Sequence, residues 1–367
     1  MDDIVWVGIR QSEIKYCNFI NESINIFGNN ENSLNKQIMR NINHNDVSNF
    51  LLIGKFYNNE VLNFIKKNKN VKFMYYSQIY TYAALKKLNV LDYVICLNNP
   101  DLIKFINNKF KVKEYLNDYI PILDYIYVNG CNFDYNKLKR IFKSNELVIQ
   151  QDEGSGGSGT FILNKENIDN LKLEKDTTYM ITKYLKNNIS INNHILISDN
   201  DIYILPASIQ NIKIVNNTLA YKGSDFIAYS KMIDKNIDKK IEKYTKIICE
   251  KLKEKGYRGV LGIDWLIYNN EVYFMEINPR FQNSSTLLNK GLMDNSLPSL
   301  QELHYNCFYN KKIILKPFRV NYSSYIVEDD VNIPIKPIEV LDEIKGVLYD
   351  KYSYKMTNVY DVSTIEY

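Results

Sequence analysis

Short apolar runs alternate with helically spaced segments along the first hundred positions of the chain. Strands that alternate with helices indicate a parallel α/β sheet, so we expect an N-terminal α/β domain over residues 1–98. No GxGxxG follows the first apolar run, which argues against a dinucleotide-binding fold. The predicted strands are Ile4–Ile9, Asn49–Gly54, Val71–Tyr75 and Asp92–Leu97, and a helical pattern covers Glu60–Lys67.

Longer elements follow from about residue 99. Asn99 has the side chain of an N-cap and Pro100 suits the first helical position, so a helix is predicted to begin there. Its pattern breaks near Asn107 and Asn108 and resumes before Pro121. Further on, the predicted strands are Thr178–Leu185 and Ile195–Ile204, and the predicted helices are Lys235–Lys255, which Gly256 ends, and Ser285–Leu300.

The segment from Gly154 to Gly159 concentrates several of the chain's 14 glycines. An apolar run that begins at Leu147 enters it, and Thr160–Leu163 resumes a strand. Glycine adopts positive φ values and permits close approach, so a strand–glycine loop–strand can turn its backbone amides toward an anion. Phosphate is the anion we expect there.

A second constellation lies on a predicted hairpin of Val260–Tyr268 and Val272–Ile277. Asp264 stands among apolar residues on the first strand. Glu276 and Asn278 lie at the end of the second strand, two positions apart, and therefore point to one face. Whether Asp264 joins them depends on the register of the hairpin.

Two registers are open, and the turn at Asn269 and Asn270 selects between them. A two-residue turn pairs Asp264 with Met275 and sends the carboxylates to opposite faces. A three-residue turn, with one asparagine in the left-handed conformation, pairs Asp264 directly with Glu276. We expect the three-residue turn.

Two carboxylates that face each other at about 5 Å destabilise a bare sheet. A divalent cation reverses that effect, because Mg²⁺ accepts one or two carboxylates together with substrate phosphates. The alternative is an exposed hairpin face with unrelated acids, but the apolar flanks favour a half-buried site. Arg280 follows Pro279, which holds Asn278 extended, and its guanidinium suits phosphate oxygens or an acyl-phosphate.

Composition narrows the class of protein. The 367 residues carry a net charge of only +4, which gives no argument for nucleic acid or membrane as a partner. The 5 cysteines form no CxxC, which argues against a disulfide framework and a zinc site. Only 3 histidines are present, which argues against a His-rich metal site or a hydrolase triad. No apolar stretch approaches the roughly 20 residues of a membrane helix, and the acidic start lacks a basic signal region. A cytoplasmic location is expected.

At this point the chain resembles the ATP-grasp superfamily of carboxylate–amine ligases over about residues 99–290. The stretch GVLGIDWLIYNNEVYFMEINPRFQ is similar to the family's metal-binding hairpin. The resemblance implies an α/β protein (an α+β ATP-grasp fold) in which a parallel α/β domain precedes a two-lobed domain with the nucleotide between its lobes. The implied divisions are an ATP-grasp domain over residues 99–310, with lobes at about 99–182 and 183–310, and a C-terminal segment over 311–367 packed on it.

The resemblance also implies residue roles. Asp264, Glu276 and Asn278 would coordinate two Mg²⁺ ions that bridge the phosphates of ATP, and Arg280 would hold the acyl-phosphate. The segments NNKFKVKEYLNDYIP and MITKYLKNN resemble the first lysine-bearing segment and the hinge strand that holds adenine. The implied nucleotide contacts are Lys109, Gln150, Gly154, Ser155, Gly156, Gly157, Ser158, Lys183, Tyr184 and Leu185.

Two positions depart from the family's pattern. A lysine usually precedes the glycine loop, where this chain has Gln150, and the hinge usually carries a glutamate, where this chain has Thr182. A neutral amide can donate a hydrogen bond but cannot neutralise phosphate charge. Lys113, four residues after Lys109, shares its helical face if the helix continues that far.

We expect an ATP-dependent ligase that activates a carboxylate as an acyl-phosphate and joins it to an amine. Its partners would be small-molecule acids and amines of amino-acid or peptide type, in peptide or natural-product assembly, and self-association as a homodimer is left open. The alternatives are a non-catalytic nucleotide-binding or regulatory protein of the same fold, a carboxylate–thiol ligase, and a phosphotransferase that stops at the phosphorylated product.

Overall fold

The computed structural model describes residues 3–20, 22–27, 63, 65–67, 70–78, 85–86, 89–154, 159–215, 217–326, 355–359 and 362–366. The predicted strand Asn49–Gly54, the first part of the predicted helix Glu60–Lys67 and residues Ser155 to Ser158 lie outside these ranges, as does most of the segment 327–367.

The N-terminal region forms a parallel sheet. Strand β1 (Asp3–Arg10) lies between β2 (Glu22–Phe27) and β3 (Val71–Tyr75), and both pairings are parallel. The predicted strands Ile4–Ile9 and Val71–Tyr75 are therefore confirmed, as is the parallel α/β character.

The predicted strand Asp92–Leu97 is wrong. Residues Leu91–Tyr93 form a 3₁₀ turn, and only Val94 makes a parallel bridge, to Phe73. Cys96 has a φ of 60°, which ends the extended conformation after two residues. Ile95 and Cys96 are nonetheless buried, and Val94 packs against the core that contains Phe73, so the hydrophobicity of the run reflects packing against β3 rather than a strand of its own.

A second sheet dominates the rest of the chain, and neighbouring strands within it are antiparallel. Its strands run in the order β12-β11-β8-β9-β10-β6-β5-β7-β4, with β13 attached to β10 and to β15, which pairs with β14. The bounds are β4 Tyr125–Asn129, β5 Leu147–Gln150, β6 Thr160–Leu163, β7 Thr178–Lys183, β8 Ile189–Ile197, β9 Ile202–Val215, β10 Thr218–Asp225, β11 Gly259–Tyr268, β12 Glu271–Asn278, β13 Tyr322–Ile326, β14 Lys355–Val359 and β15 Val362–Glu366.

Helices begin where the sequence offers a cap. Asn99 accepts hydrogen bonds from the backbone N–H groups of Asp101 and Leu102, and Asn108 accepts one from Lys111, so the predicted start and break are confirmed. The α-helices are α1 Pro100–Asn107, α2 Lys109–Leu116, α3 Tyr135–Phe142, α4 Phe226–Met232, α5 Lys235–Glu254, α6 Ser285–Asp294 and α7 Leu300–Phe308. Helix α5 ends just before Gly256, as predicted.

Two further predictions fail at polar turns. The predicted strand Ile195–Ile204 is two strands, because Ser198 and Asp201 bond each other through backbone and side chain and reverse the chain. The predicted helix Ser285–Leu300 ends at Asp294, and a new helix begins at Leu300 with Ser299 as its N-cap. Pro298 cannot continue the first helix, which explains the break.

The sheet formed by β8, β9, β11 and β12 has two unlike faces. Apolar side chains of one face, such as Ile191, Ile263 and Trp265, pack under helices α1, α2 and α5. Residues of the opposite parity, including Asn192 and Asp264, point to the other face. Strands β4 to β7 and helix α3 enclose a separate smaller core. Among the described helices, none is long and apolar enough to cross a membrane.

Candidate active site

A β-bulge brings the two predicted acidic residues together. Strand β11 pairs Trp265 with Phe274 but pairs Asp264 with Glu276, so Met275 is an extra residue on β12. The turn is the two-residue Asn269-Asn270 type, with φ values of 50° and 61°, and the expected three-residue turn is wrong. The expected pairing of the carboxylates is confirmed, although the bulge and not the turn produces it.

The bulge also separates the core from the site. Without the extra residue, Phe274 and Glu276 would lie on one face, because side chains alternate along a strand. With it, Phe274 packs edge-on against Trp265 in the core, and Glu276 turns to the face of Asp264. Asn278 follows on that same face and donates its amide Nδ2 to Asp264 Oδ2 at 3.0 Å and to Glu276 Oε1 at 3.4 Å.

The electrostatics of this pair are those of two carboxyl groups that share a small space. Burial, followed by the charge of Glu276, raises the pKa of Asp264 to about 8. Burial acts in the same sense on Glu276, but the ammonium of Lys109, the hydrogen bond with Asp264 and the charge of Arg280 together outweigh it and hold the pKa of Glu276 below its usual value. Lys109 Nζ lies 3.1 Å from Glu276 Oε2. One carboxylate therefore has a cation beside it while the other retains a proton.

Helix α2 continues to Leu116, which was the condition for Lys109 and Lys113 to share one helical face. The two lysines therefore extend from successive turns of this helix. Both side chains are buried, at 7% and 3% exposure. Lys113 Nζ donates to the amide oxygen of Gln150 at 3.4 Å, and Gln150 in turn donates to the Thr160 hydroxyl at 3.3 Å. Burial, followed by the neighbouring Lys109 charge, lowers the pKa of Lys113 to about 7.

The glycine loop is anchored at both ends. Strands β5 and β6 pair up to Gln150 and Thr160, which confirms the predicted strand–loop–strand, and Gln151 N–H donates to Gly159 at 2.9 Å. Gly154 and Gly159 have φ values of 151° and 74°, which favour glycine. Between them, Ser155, Gly156, Gly157 and Ser158 lie outside the described residues.

The loop's first residues contact the helix that carries the two lysines. The carbonyl of Asp152 accepts the Lys109 N–H at 2.8 Å, and its carboxylate accepts the Asn108 side-chain amide at 2.9 Å. These bonds place the start of the loop at the N-terminus of α2, next to Lys109.

The predicted hinge residues lie at the end of β7 and in the turn that leads to β8. Lys183 is exposed, Tyr184 is half-buried and Leu185 is buried. The Tyr184 N–H donates to the Glu146 carbonyl at 3.1 Å, and the Leu185 carbonyl accepts the Asn188 side chain at 2.7 Å. These two backbone groups therefore already have partners within the chain.

Arg280 is held by the N-terminal domain. Its guanidinium donates to the Tyr76 hydroxyl at 3.2 Å and to Asn278 Oδ1 at 3.0 Å, and Ser77 forms an antiparallel bridge to its backbone. Phe281 N–H donates to the Tyr76 carbonyl, and the Phe281 ring packs edge-on against Trp6. The parallel sheet thus supports one wall of the site, and Tyr76 is a site residue that the sequence analysis did not identify.

Two amide side chains that the sequence analysis missed, Asn192 and Gln210, lie on the same sheet face. Asn192 donates to Asp264 and to Gln282 Oε1, and Gln210 donates to Asp264 at 3.3 Å. Gln282 lies so close to Gly262 that an ideal Cβ there would be 1.1 Å from its Nε2. Alternation of polar residues at positions 190, 192 and 194 of β8 is the signal that could have indicated this face.

The residues present fit a divalent cation, with one reservation about orientation. Two half-buried carboxyl groups face each other and one of them keeps its proton, so they form the oxygen-rich and electrostatically unsatisfied donor set that Mg²⁺ stabilises. Asn278 currently turns its amide nitrogen toward the carboxylates and its oxygen toward Arg280, so it would have to rotate to offer its oxygen.

Comparison with known proteins identifies the domain. The family model described as the ATP-grasp domain matches residues 106–284, which span Lys109, the glycine loop and the carboxylate hairpin. The chain contains an ATP-grasp domain. The match begins within α1 and ends at the N-cap position of α6, so the ATP-grasp domain includes every strand from β4 to β12. No curated protein matches the sequence.

Solved structures share the ATP-grasp fold. The carboxyaminoimidazole ribonucleotide synthase of Aspergillus clavatus, in complex with ATP, has 16% identity and a TM-score of 0.60, with 100% of this chain and 94% of that chain covered. The N5-carboxyaminoimidazole ribonucleotide synthetase of Thermus thermophilus has 13% identity, a TM-score of 0.61 and 99% and 93% coverage. The biotin carboxylase domain of Hydrogenobacter thermophilus 2-oxoglutarate carboxylase, with MgADP and bicarbonate, has 17% identity, a TM-score of 0.62 and 89% and 74% coverage. At these identities the likeness concerns the fold.

Proposed function

We propose that this protein is an ATP-dependent ligase that converts a substrate carboxylate into an acyl-phosphate and joins it to an amine. The observation that carries the proposal is the pairing of Asp264 with Glu276 on a half-buried face that also presents Asn278 and Arg280. Acidic oxygens and a guanidinium on one wall suit a transferring phosphoryl group, because its charge is spread over several oxygens.

The nucleotide would lie between this wall and the glycine loop. Lys109 and Gln150 would border the triphosphate, and the family resemblance implies further contacts from Gly154, Ser155, Gly156, Gly157 and Ser158. Lys183, Tyr184 and Leu185 border the adenine at the hinge. The bonds from Asp152 to the start of α2 support this arrangement, since they place the loop beside Lys109.

Asp264, Glu276 and a rotated Asn278 would hold Mg²⁺, and two ions are expected from the family. Bound there, the metal would neutralise phosphate charge and help to orient the γ-phosphoryl group. Glu276 would then exchange its Lys109 partner, at least in part, for the metal, which leaves the Lys109 ammonium available to a phosphate oxygen.

The reaction needs no side-chain nucleophile. A carboxylate oxygen of the substrate attacks the γ-phosphorus, the bond from that phosphorus to the bridging oxygen breaks, and ADP leaves. Arg280 binds the acyl-phosphate, and its guanidinium is held in place by the Tyr76 hydroxyl and the Phe281 carbonyl. The amine nitrogen then attacks the acyl carbon, phosphate departs with the C–O bond pair, and the nitrogen loses a proton to give an amide. The chain has only 3 histidines and its cysteines are scattered, which agrees with a reaction that needs no side-chain nucleophile.

Candidate acids are amino-acid-like or peptide carboxylates, as in peptide or natural-product assembly. Bicarbonate is a further candidate acid, because the biotin carboxylase domain with this fold was crystallised with bicarbonate. Neutral amides on the site face, Asn192, Gln210 and Gln282, would contact polar rather than apolar parts of a substrate.

The test measures ADP release from ATP and Mg²⁺ across a panel of amino acids, peptides and bicarbonate with amine acceptors. With the active acid, Glu276→Gln should reduce ADP release by about a hundredfold or more, the scale of one lost transition-state electrostatic contact. Glu271→Gln is the matched control, because Glu271 lies on the same strand but is exposed and pairs with Lys240. Undiminished release by Glu276→Gln refutes the assignment, and hydroxylamine trapping of the acyl-phosphate separates a ligase from a phosphotransferase.

A second candidate is a non-catalytic nucleotide-binding protein with the same domain. Gln150 and Thr182 favour it, since a neutral glutamine and threonine stand where family members carry a lysine and a glutamate. Tight ATP binding together with no acid-dependent ADP release across the panel would support this candidate over the ligase.

A further inference from the structure

Lys113 is a buried cation that the proposed reaction has not used. Its side chain is 3% exposed, and lysine is almost never that buried without an ionic partner. It lies one helical turn after Lys109, and helix α2 presents both residues to the same buried space.

The charges around Lys113 do not balance. Glu276 Oε2 lies 3.1 Å from Lys109, whereas the described residues provide Lys113 with no carboxylate within ion-pair distance. Its hydrogen-bond acceptor is the neutral amide oxygen of Gln150, at 3.4 Å. Two ammonium groups therefore share one nearby carboxylate in a buried region, and an uncompensated buried charge is costly. An added anion would remove that cost.

The position of Lys113 indicates which anion. Gln150 is the last residue of β5, directly before the glycine loop, and its amide also bonds Thr160 where β6 resumes. Lys113 thus lies beneath the root of the loop, on the side where Lys109 and Asp152 join the loop to α2. A group bound under this loop would place its charge within reach of both lysines.

We propose that Lys113, from helix α2, supplies the positive charge for a phosphate group of the bound nucleoside triphosphate that the neutral strand residue Gln150 cannot supply. The inference rests on nucleotide binding in the proposed function, but not on catalysis. A lysine that is buried only to fill space would behave differently, because an apolar chain of similar length would then replace it without loss of binding.

The experiment measures the dissociation constant of ATP in saturating MgCl₂ by equilibrium dialysis. Lys113→Met keeps the length of the side chain and removes the charge, and it should weaken ATP binding by about ten- to a hundredfold, the scale of one charge-assisted hydrogen bond. Lys111→Met is the matched control on the same helix, since Lys111 is exposed, and its affinity should stay within about twofold of wild type.

The sharpest variant moves the charge rather than removing it. Because Lys113 Nζ and Gln150 Oε1 are 3.4 Å apart, the double variant Lys113→Met/Gln150→Lys returns an ammonium to the same place from the strand. It should recover most of the lost affinity. Gln150→Glu alone gives Lys113 a carboxylate partner and also brings a negative charge to the phosphate site, so it should weaken ATP binding. Unchanged affinity in this variant would count against the role of Lys113 even if Lys113→Met does not fold.

The outcomes separate this inference from the proposed function. Unchanged ATP affinity in both Lys113→Met and Gln150→Glu would overturn the role of Lys113 even if the protein is an active ligase. Loss of affinity that the transposed lysine restores would support it even if no acid yields ADP. A wild-type protein that binds no ATP at all would overturn the inference and the proposed function together.

Discussion

The hydroxyl of Tyr76 accepts a hydrogen bond from the guanidinium of Arg280 at 3.2 Å, although 204 positions separate the two residues in the chain. This bond joins the edge of the N-terminal parallel sheet to the residue that follows the carboxylate hairpin. The first domain is therefore part of the candidate site and not only a neighbour of it.

Replacement of Tyr76 by phenylalanine should impair use of the acid substrate. The lost bond involves a charged donor, so kcat/KM for the acid should fall by about tenfold or more, while ATP affinity stays near wild type. Tyr75→Phe is a matched control, because the buried Tyr75 hydroxyl has no hydrogen-bond partner among the residues that the structure describes, and its removal should cost little. Equal effects of the two substitutions on kcat/KM would contradict a positioning role for Tyr76.

Gly262 should tolerate no side chain while Gln282 is present. An alanine Cβ would collide with the Gln282 amide, which also accepts from Asn192, so Gly262→Ala should lower the free energy of unfolding by about 1–3 kcal/mol. Urea unfolding of the two single variants and of Gly262→Ala/Gln282→Ala forms a double-mutant cycle. The cost of the alanine should largely vanish in the Gln282→Ala background; an additive cost in the double variant would place the strain elsewhere.

Nucleotide affinity should fall as pH rises through about 7, the pKa to which burial and then Lys109 lower Lys113. The groups that face Lys113 are Lys109 on its own helix, Glu276 on β12 and the neutral Gln150 on β5. Phosphate favours the charged amine. Below that pH the amine is already protonated, and above it binding must take up a proton, at a cost of up to about tenfold per pH unit.

Calorimetry in buffers of different ionisation enthalpy measures that proton uptake directly. At a pH above 7, ATP binding to wild type should take up more protons than ATP binding to Lys113→Met. The ionisation of ATP itself contributes equally to both proteins, so the difference reports Lys113. No difference in proton uptake between the two proteins would rule out the linkage.

Protonation of His304 should lower the free energy of unfolding in acid. Burial lowers its pKa to about 3, and its Nδ1 accepts the Val260 N–H at 2.8 Å, which requires the neutral ring. Because the folded pKa lies below the unfolded value of 6.5, this contribution is complete above 6.5 and is lost as pH falls toward 3. The free energy of unfolding should drop by up to about 1.4 kcal/mol per pH unit from this residue.

The variant His304→Gln keeps an acceptor but removes the titration. Urea unfolding followed across the acid range should show a shallower slope for this variant, while carboxylates and His194 continue to contribute in both proteins. Identical slopes for wild type and His304→Gln would show that His304 is protonated in the folded protein without penalty.

Local chemistry made much of this structure predictable. Asn99 and Asn108 cap helices as their side chains indicate, and the glycine loop joins two strands as its flanks predict. Where a prediction failed, a tertiary or turn effect outweighed the apolar pattern. Residues near Val94 are buried by packing against β3, and the polar turn at Ser198 interrupts what reads as one apolar strand.

The sequence identified only some of the site residues, and the reason differs from the one that applies to the strands and helices. Acidic and amide residues on the hairpin stand out against their apolar surroundings, and Lys113 lies four positions after Lys109, whereas Tyr76 is one of 30 tyrosines. The role of Tyr76 depends on its contact with Arg280, and that of Lys113 depends on its contact with Gln150; no local pattern encodes either contact. The correct pairing of Asp264 with Glu276 was reached through the wrong turn, because a bulge leaves no signature in composition.

That bulge imposes a parity rule on the hairpin. Twelve steps along the chain lead from Asp264 to Glu276, and the single unpaired Met275 decides which side of the ribbon the second acid occupies. If the pairing were regular and the turn kept its two residues, Asp264 would pair with Met275 and Glu276 would move to the opposite side of the ribbon. The hairpin can therefore vary in length at its turn, whereas an alignment that keeps the bulge and opens a one-residue gap within a paired strand assigns the acids to opposite surfaces.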